Sequence, residues 1–141
     1  MKLVVPDVSV LLKWVLPEEG EPWVGEALRL RDDFETGRAD LLVPSLWYYE
    51  AGNVLALHYA ESAADRLAVL VGLRLSVAEP NEMWRVKTLD LTKMHGVTFY
   101  DASYHALAVL HNGVFVTSDE KYLRKASATG YILHLREWSL T

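Results

Sequence analysis

Four acidic residues, Asp7, Glu50, Asp101 and Asp119, stand at positions from which a fold could bring them together. Asp7 and Asp119 each follow a short apolar run of the kind that forms a buried strand. Clustered carboxylates repel one another, so some keep their protons unless a cation offsets the charge. Hard divalent cations such as Mg²⁺ or Mn²⁺ prefer oxygen ligands and lower the pKa of bound water. These residue types therefore predict a binding site for a divalent cation.

Glu50 interrupts the apolar side of a predicted helix that begins near residue 45. With a step of about 100° per residue, Leu46, Val54 and Leu57 lie around it. A buried carboxylate is costly unless it is paired or binds a metal. No Lys or Arg lies within one turn of Glu50 on this helix. The position therefore favours a functional role over a solvated one.

The three aspartates also have structural interpretations, which the sequence leaves open. Asp7 and Asp119 stand where an acid stabilises the first turn of a helix. Asp101 lies three residues after Thr98, a spacing typical of helix capping. The combination of four acids is more specific than any one of them.

The pattern that positions these acids is that of an α/β protein. Apolar runs predict strands at residues 3–5, 41–43, 114–116 and 131–133, while residues 75–78 fit a strand or a loop. Helical patterns cover residues 9–15, 23–36, 45–61, 63–73, 81–94, 101–111 and 119–128. The alternation predicts a short central parallel sheet surrounded by helices. Ligands bind beyond the carboxyl ends of such strands, where the acids stand.

Length and composition fit a single domain over residues 1–141. The apolar fraction of 51% argues against disorder. Because the chain has no cysteine, disulfides, thiolate metal sites and a cysteine nucleophile are excluded. The net charge of −5 argues against a broad basic surface for nucleic acid, but not against an enzyme that binds divalent cations.

The sequence shows no segment typical of export or membrane insertion. The apolar stretch at residues 3–16 is interrupted by Asp7 and Lys13 and lacks a small-residue cleavage site. No apolar run approaches the ~20 residues that cross a bilayer. We therefore expect a cytoplasmic protein without a membrane partner.

Four segments around the acids resemble, in order and spacing, the four motifs of PIN domains. They are VVPDVSVLL (residues 4–12), VPSLWYYEAGNVL (43–55), TFYDASYHALA (98–108) and VTSDEKYL (116–123). The resemblance is strongest to the toxin subunits of VapBC toxin–antitoxin pairs and covers essentially the whole chain. It implies one PIN-like domain and a Mg²⁺- or Mn²⁺-dependent endoribonuclease that cleaves RNA.

The resemblance also assigns roles to single residues. Asp7, Glu50, Asp101 and Asp119 match the acidic positions that serve catalysis and metal binding. Ser9, Asn53 and Thr117 match polar residues that support the acids. The resemblance further implies a VapB-like antitoxin and a homodimer. Four aromatic residues on or near one helix fit either an interface or the core: Trp47, Tyr48, Tyr49 and Tyr59.

An RNA substrate requires cations and stacking surfaces on the protein. Lys13 and Lys121 lie near predicted strand ends and are candidate phosphate contacts, and Tyr100 is a candidate for stacking on a base. Arg124 and Lys125 also lie near predicted strand ends and could meet phosphates, but their pattern slightly favours an ordinary solvated helix face.

Other functions fit the pattern less well. A receiver-type phosphorylation domain needs adjacent acids after its first strand, and a haloacid-type phosphatase needs a second Asp two residues after the first, where this chain has Ser9. The histidines lack metal-binding spacing, and only His105, one turn after Asp101, lies near an acid. The main alternative is a module of the same fold that binds RNA or protein without cleaving.

Overall fold

The computed structural model describes residues 2–139, which contain one five-stranded sheet. The strands are β1 (Lys2–Pro6), β2 (Ala39–Val43), β3 (Ser76–Val77), β4 (Val114–Thr117) and β5 (Ile132–His134). Their order across the sheet is β3-β2-β1-β4-β5, and every neighbouring pair is parallel. The predicted α/β class with a short central parallel sheet is confirmed.

Seven α-helices connect and flank the strands in the described part of the chain. They are α1 (Val8–Leu12), α2 (Val24–Glu35), α3 (Leu46–His58), α4 (Ala63–Gly72), α5 (Glu82–His95), α6 (Phe99–Leu110) and α7 (Glu120–Ala126). Helix α1 is shorter than predicted, because the α-helix ends before Lys13 and the chain continues as a turn. Within residues 2–139, no helix combines the length and the apolar character needed to cross a membrane.

The central strand β1 brings the first acid next to β4. Val4 and Val5 are both fully buried, as expected for a strand covered on both faces. Pro6 is paired with Val116, and the backbone N–H of Asp7 donates to the Val116 carbonyl at 2.9 Å. The residues that follow β1 and β4 therefore lie at the same edge of the sheet.

Gly113 allows β4 to start directly beside β1. A Cβ atom at this position would lie 2.7 Å from the carbonyl oxygen of Leu3, a distance that no side chain tolerates without a backbone shift. The missing side chain thus permits the close approach of the two strands.

The turn between α5 and α6 sets the position of Asp101. Gly96 ends α5 in the left-handed conformation, with φ of +63°. The Thr98 hydroxyl then caps α6 by accepting the backbone N–H of Asp101 at 3.1 Å. Residues 102–108 are all buried, so the acid stands at the end of a deeply packed helix.

The segment at residues 75–78, which the sequence left undecided, contains the edge strand β3. Both of its residues, Ser76 and Val77, are exposed. A two-residue edge strand without a buried face has no alternating pattern, which explains why the sequence could not distinguish it from a loop.

Candidate active site

Asp7 is held by three hydrogen bonds at the carboxyl end of β1. Its Oδ1 accepts the backbone N–H of Val8 at 2.8 Å, which caps α1. Its Oδ2 accepts the hydroxyls of Ser9 and Thr117, both at 2.9 Å. The carboxylate is therefore fixed in orientation by neutral donors from both β1 and β4.

Asp119 is linked to the same network through Thr117. The Thr117 hydroxyl accepts the backbone N–H of Asp119 at 3.0 Å while donating to Asp7. Asp119 is the N-cap of α7, because its Oδ1 accepts the Tyr122 N–H at 3.1 Å. Asp119 therefore caps α7 and is also linked to Asp7 through the Thr117 hydroxyl.

Glu50 is half-buried and lies at the border of the apolar side of α3, on which it was predicted. The buried row of α3 is Trp47, Ala51 and Leu55, spaced four residues apart. Glu50 lies beside this row, and Leu57, predicted to surround it, is 70% exposed.

A buried tyrosine fixes Glu50 from the neighbouring helix. The hydroxyl of Tyr104, on α6, donates to Oε1 of Glu50 at 2.6 Å. The Tyr104 side chain is fully buried and stacks on Phe115 of β4. Tyr104 thereby joins α3, α6 and the sheet at this acid.

The acids influence one another electrostatically, which shows that they face a common region. Burial raises the pKa of Asp7 to about 6, against the hydrogen bonds from Ser9 and Thr117, and the charges of Asp101 and Glu50 raise it further. We call Asp7, Glu50, Asp101 and Asp119 the acidic edge.

The same forces act on two other acids of this set. Burial raises the pKa of Glu50, the hydrogen bond from Tyr104 lowers it, and the charge of Asp101 raises it. Burial also raises the pKa of Asp101, as does the charge of Asp119. Removing solvent and adding like charges both disfavour the ionised form.

No Lys, Arg or His lies within ion-pair distance of the acidic edge in residues 2–139. Across the same residues, no three His, Cys, Asp or Glu side chains form a ready-made metal cage. The acids are thus close enough to repel one another, but not close enough to enclose an ion completely by themselves.

Lys13 does not fit the predicted phosphate contact. Its side chain is 4% exposed, its Nζ lies 2.7 Å from Oε1 of Glu21, and the ammonium group stands over the ring of Trp23. The ion pair closes the loop between α1 and α2, so the ammonium group is not free to meet a phosphate.

Asn53 forms no hydrogen bond, within residues 2–139, to the acids that it was predicted to support. Its side chain is exposed and forms no hydrogen bond with the residues that the structure describes. Ser9 and Thr117, by contrast, both donate to Asp7.

Tyr100 and Lys121 line two different cavities. Tyr100 is exposed and lines an apolar cavity of about 310 Å³ between the start of α3, α5 and α6. Lys121 is exposed and lines a cavity of about 280 Å³ together with Asp101 and Asp119.

Several residues of the site were not singled out from the sequence. Tyr104 was not linked to Glu50, and Ser118, whose hydroxyl donates to Ser9 at 2.9 Å, was not recognised at all. His105 is buried and bonds to the hydroxyl of Tyr122 and to the carbonyl of Gly130, so it is structural. Only the periodicity of α6 could have indicated that Tyr104 faces the sheet.

The fold and the site define a small parallel α/β domain with a row of uncompensated acids at the carboxyl edge of its sheet. The PIN domain family model matches residues 4–128, and the chain belongs to this family. PIN domains are generally nucleases, so membership supports a hydrolase that acts on nucleic acid.

Solved structures share the fold at low sequence identity. PAE2754 from Pyrobaculum aerophilum has a TM-score of 0.68 and 22% identity, and the match covers 96% of this chain and 90% of that one. VapBC2 from Rickettsia felis, solved with a DNA fragment from its promoter, has a TM-score of 0.66 and 11% identity, covering 94% and 96%. The search of curated proteins gave no significant match.

Proposed function

We propose that the chain is a Mg²⁺- or Mn²⁺-dependent endoribonuclease and the toxin of a VapBC-type toxin–antitoxin pair. The observation that carries the proposal is the acidic edge, whose members repel one another and have no cationic partner among residues 2–139. Membership of a nuclease family supports the same conclusion.

The residues of the acidic edge fit a hard divalent cation. They offer only carboxylate oxygens, which Mg²⁺ and Mn²⁺ prefer. The lack of a closed protein cage suits Mg²⁺, which keeps several waters and is held through one or two carboxylates and substrate phosphates. Asp7, Glu50 and Asp101 would hold the ion, partly through bound water, and Asp119 would hold a weaker second ion or an ordered water. A bound cation supplies positive charge to phosphate oxygens and acidifies water.

The surrounding residues orient the acids without neutralising them. Ser9 and Thr117 fix both the position and the rotation of Asp7. Tyr104 occupies Oε1 of Glu50, which leaves Oε2 for another ligand. Hydrolysis at this edge would break the bond between phosphorus and the 3′ oxygen, leaving 5′-phosphate and 3′-hydroxyl ends.

RNA cleavage by the purified chain tests this function. We expect labelled RNA to be cut with Mg²⁺ or Mn²⁺ and not with EDTA, and cutting to disappear in Asp101→Asn. The matched control is Asp90→Asn, an exposed acid on α5, which should cut like the wild type. Cutting that survives both EDTA and Asp101→Asn would refute the proposal.

Exposed apolar residues on α3 support the part of the proposal that concerns an antitoxin and a homodimer. Trp47 is buried, but Tyr48 and Tyr49 on the same helix are exposed, as is Leu57. Contiguous exposed apolar residues typically mark protein interfaces. Sedimentation of the purified chain should give twice the monomer mass, and co-expression with a VapB-like protein should suppress cleavage. A monomer that no such protein inhibits would contradict this part.

The alternative is a module of the same fold that binds RNA or protein without cleaving. Calorimetric titration with Mn²⁺ separates the two, because the nuclease requires the ion and RNA binding by a pure module does not.

A further inference from the structure

Helix α7 carries its charges on two different sides. Lys121 and Lys125 are four residues apart, which places them on one side of the helix. Glu120 and Arg124 form the neighbouring side, where Oε1 of Glu120 lies 2.5 Å from Nη1 of Arg136. One side is thus balanced by an ion pair, whereas the other presents two lysines.

The lysine side faces the cavity next to the acidic edge. Lys121 and Lys125 line the 280 Å³ cavity together with Asp101, Asp119 and the turn between α5 and α6. Of the two interpretations that the sequence left open for Lys125, this location favours a phosphate contact.

The two lysines remain free although acids line the same cavity. Both are exposed, and neither lies within 4.0 Å of an acidic oxygen in the part of the chain that the structure describes. Their ammonium groups are therefore available to an anion that enters the cavity.

We propose that Lys121 and Lys125 form a subsite for a backbone phosphate of RNA, adjacent to the phosphate that is cleaved. This inference rests on the proposed function, because it takes the acidic edge as the cleavage point. A chain with net charge −5 needs local cations to hold a polyanion. Lysine binds phosphate as a point charge, without the planar geometry that arginine requires.

RNA binding at several salt concentrations tests the subsite. We would measure anisotropy of a labelled single-stranded RNA in EDTA, between about 50 and 200 mM KCl, for Lys121→Met, Lys125→Met and the double variant. Each lost phosphate contact should make the slope of log affinity against log salt shallower by about 0.7. In cleavage assays with Mn²⁺, each variant should raise KM several-fold and leave kcat nearly unchanged.

Arg124→Met is the matched control, since it removes the same charge from the neighbouring side of the same helix, which does not line the cavity. It should leave the salt slope unchanged, and Lys125→Arg should retain the wild-type slope. Circular dichroism should show that all variants are folded.

Two results would overturn the subsite. The first is a salt slope in the lysine variants equal to that of Arg124→Met. The second uses a labelled poly-glutamate peptide as the probe. If the lysine variants lose binding to this peptide but bind RNA like the wild type, the ligand of the two lysines is an acidic protein segment. If the slope of log affinity against log salt depends on the lysines but neither the wild type nor any variant cleaves RNA, the result supports the subsite and contradicts only the proposed nuclease activity.

Discussion

Asp7→Asn should stabilise the metal-free protein at neutral pH, although it removes an acid of the proposed active site. The pKa of Asp7 is raised from 3.8 to about 6, mainly by burial, so the folded state disfavours its charge. A shift of about two units corresponds to about 3 kcal/mol of unfavourable free energy once the group is ionised. An amide carries no such cost.

The pH dependence follows from the direction of this shift. Between pH 3.8 and about 6 the folded state binds more protons than the unfolded state, so stability falls as the pH rises through this window. The advantage of the Asn variant should therefore be nearly complete at pH 7.5 and below about 1 kcal/mol at pH 4.

The hydrogen bonds of Asp7 reduce the expected gain. The amide oxygen of Asn can still accept the Val8 N–H and cap α1. The hydroxyls of Ser9 and Thr117 must rearrange, because an amide nitrogen cannot accept their protons, at a cost of about 1 kcal/mol each or less. The net gain at pH 7.5 should be about 1–3 kcal/mol.

Urea unfolding in EDTA at pH 7.5 and pH 4 measures this difference. Asp40→Asn, an exposed acid in β2, is the control and should shift stability by less than about 0.5 kcal/mol at either pH. Adding Mg²⁺ should stabilise the wild type but not Asp7→Asn, because a ligand stabilises only the state that binds it. An Asn variant that is less stable in EDTA at pH 7.5, or equally stabilised at both pH values, would refute the reasoning.

Three further predictions concern the site and the sheet. Tyr104→Phe keeps the buried ring but loses the hydrogen bond to Glu50, and calorimetry should show about tenfold weaker Mn²⁺ binding with little change in Tm. Affinity for Mn²⁺ should fall as the pH drops through about 6, because a proton on Asp7 competes with the ion; equal affinities at pH 5.5 and 7.5 would contradict this. Gly113→Ala should lower the free energy of unfolding by about 1–3 kcal/mol, whereas Gly72→Ala, with open space around it, should not lower it.

The parts of the site that follow from local pattern were predictable. Asp7 follows β1 directly and Asp119 stands two residues after β4, and the carboxyl ends of neighbouring parallel strands must lie at one edge. The strands themselves were recognisable as short, fully apolar runs between turns. Thr98 was identified as a cap of α6 from its spacing to Asp101, and the hydrogen bond confirms this role.

The parts that depend on tertiary contacts were not predictable. Tyr104 meets Glu50 across 54 residues of sequence, and Ser118 meets Ser9 across 109. Periodicity gives the side of a helix on which a residue lies, but not the residue that it faces. Lys13 was misassigned for a related reason, because its partner Glu21 stands in a loop without regular pattern.

The choice of donors around the acidic edge is itself an argument about function. A Lys or Arg beside Asp7 would lower its pKa and stabilise the fold through an ion pair. The chain instead places the hydroxyls of Ser9, Thr117 and Tyr104 against the acids, and burial keeps the pKa of Asp7 raised despite them. Neutral donors orient a carboxylate but leave most of its charge uncompensated, so the fold gives up stability to keep an oriented negative charge. That arrangement is unfavourable for a purely structural cluster and is the one expected where a cation from solution supplies the missing charge.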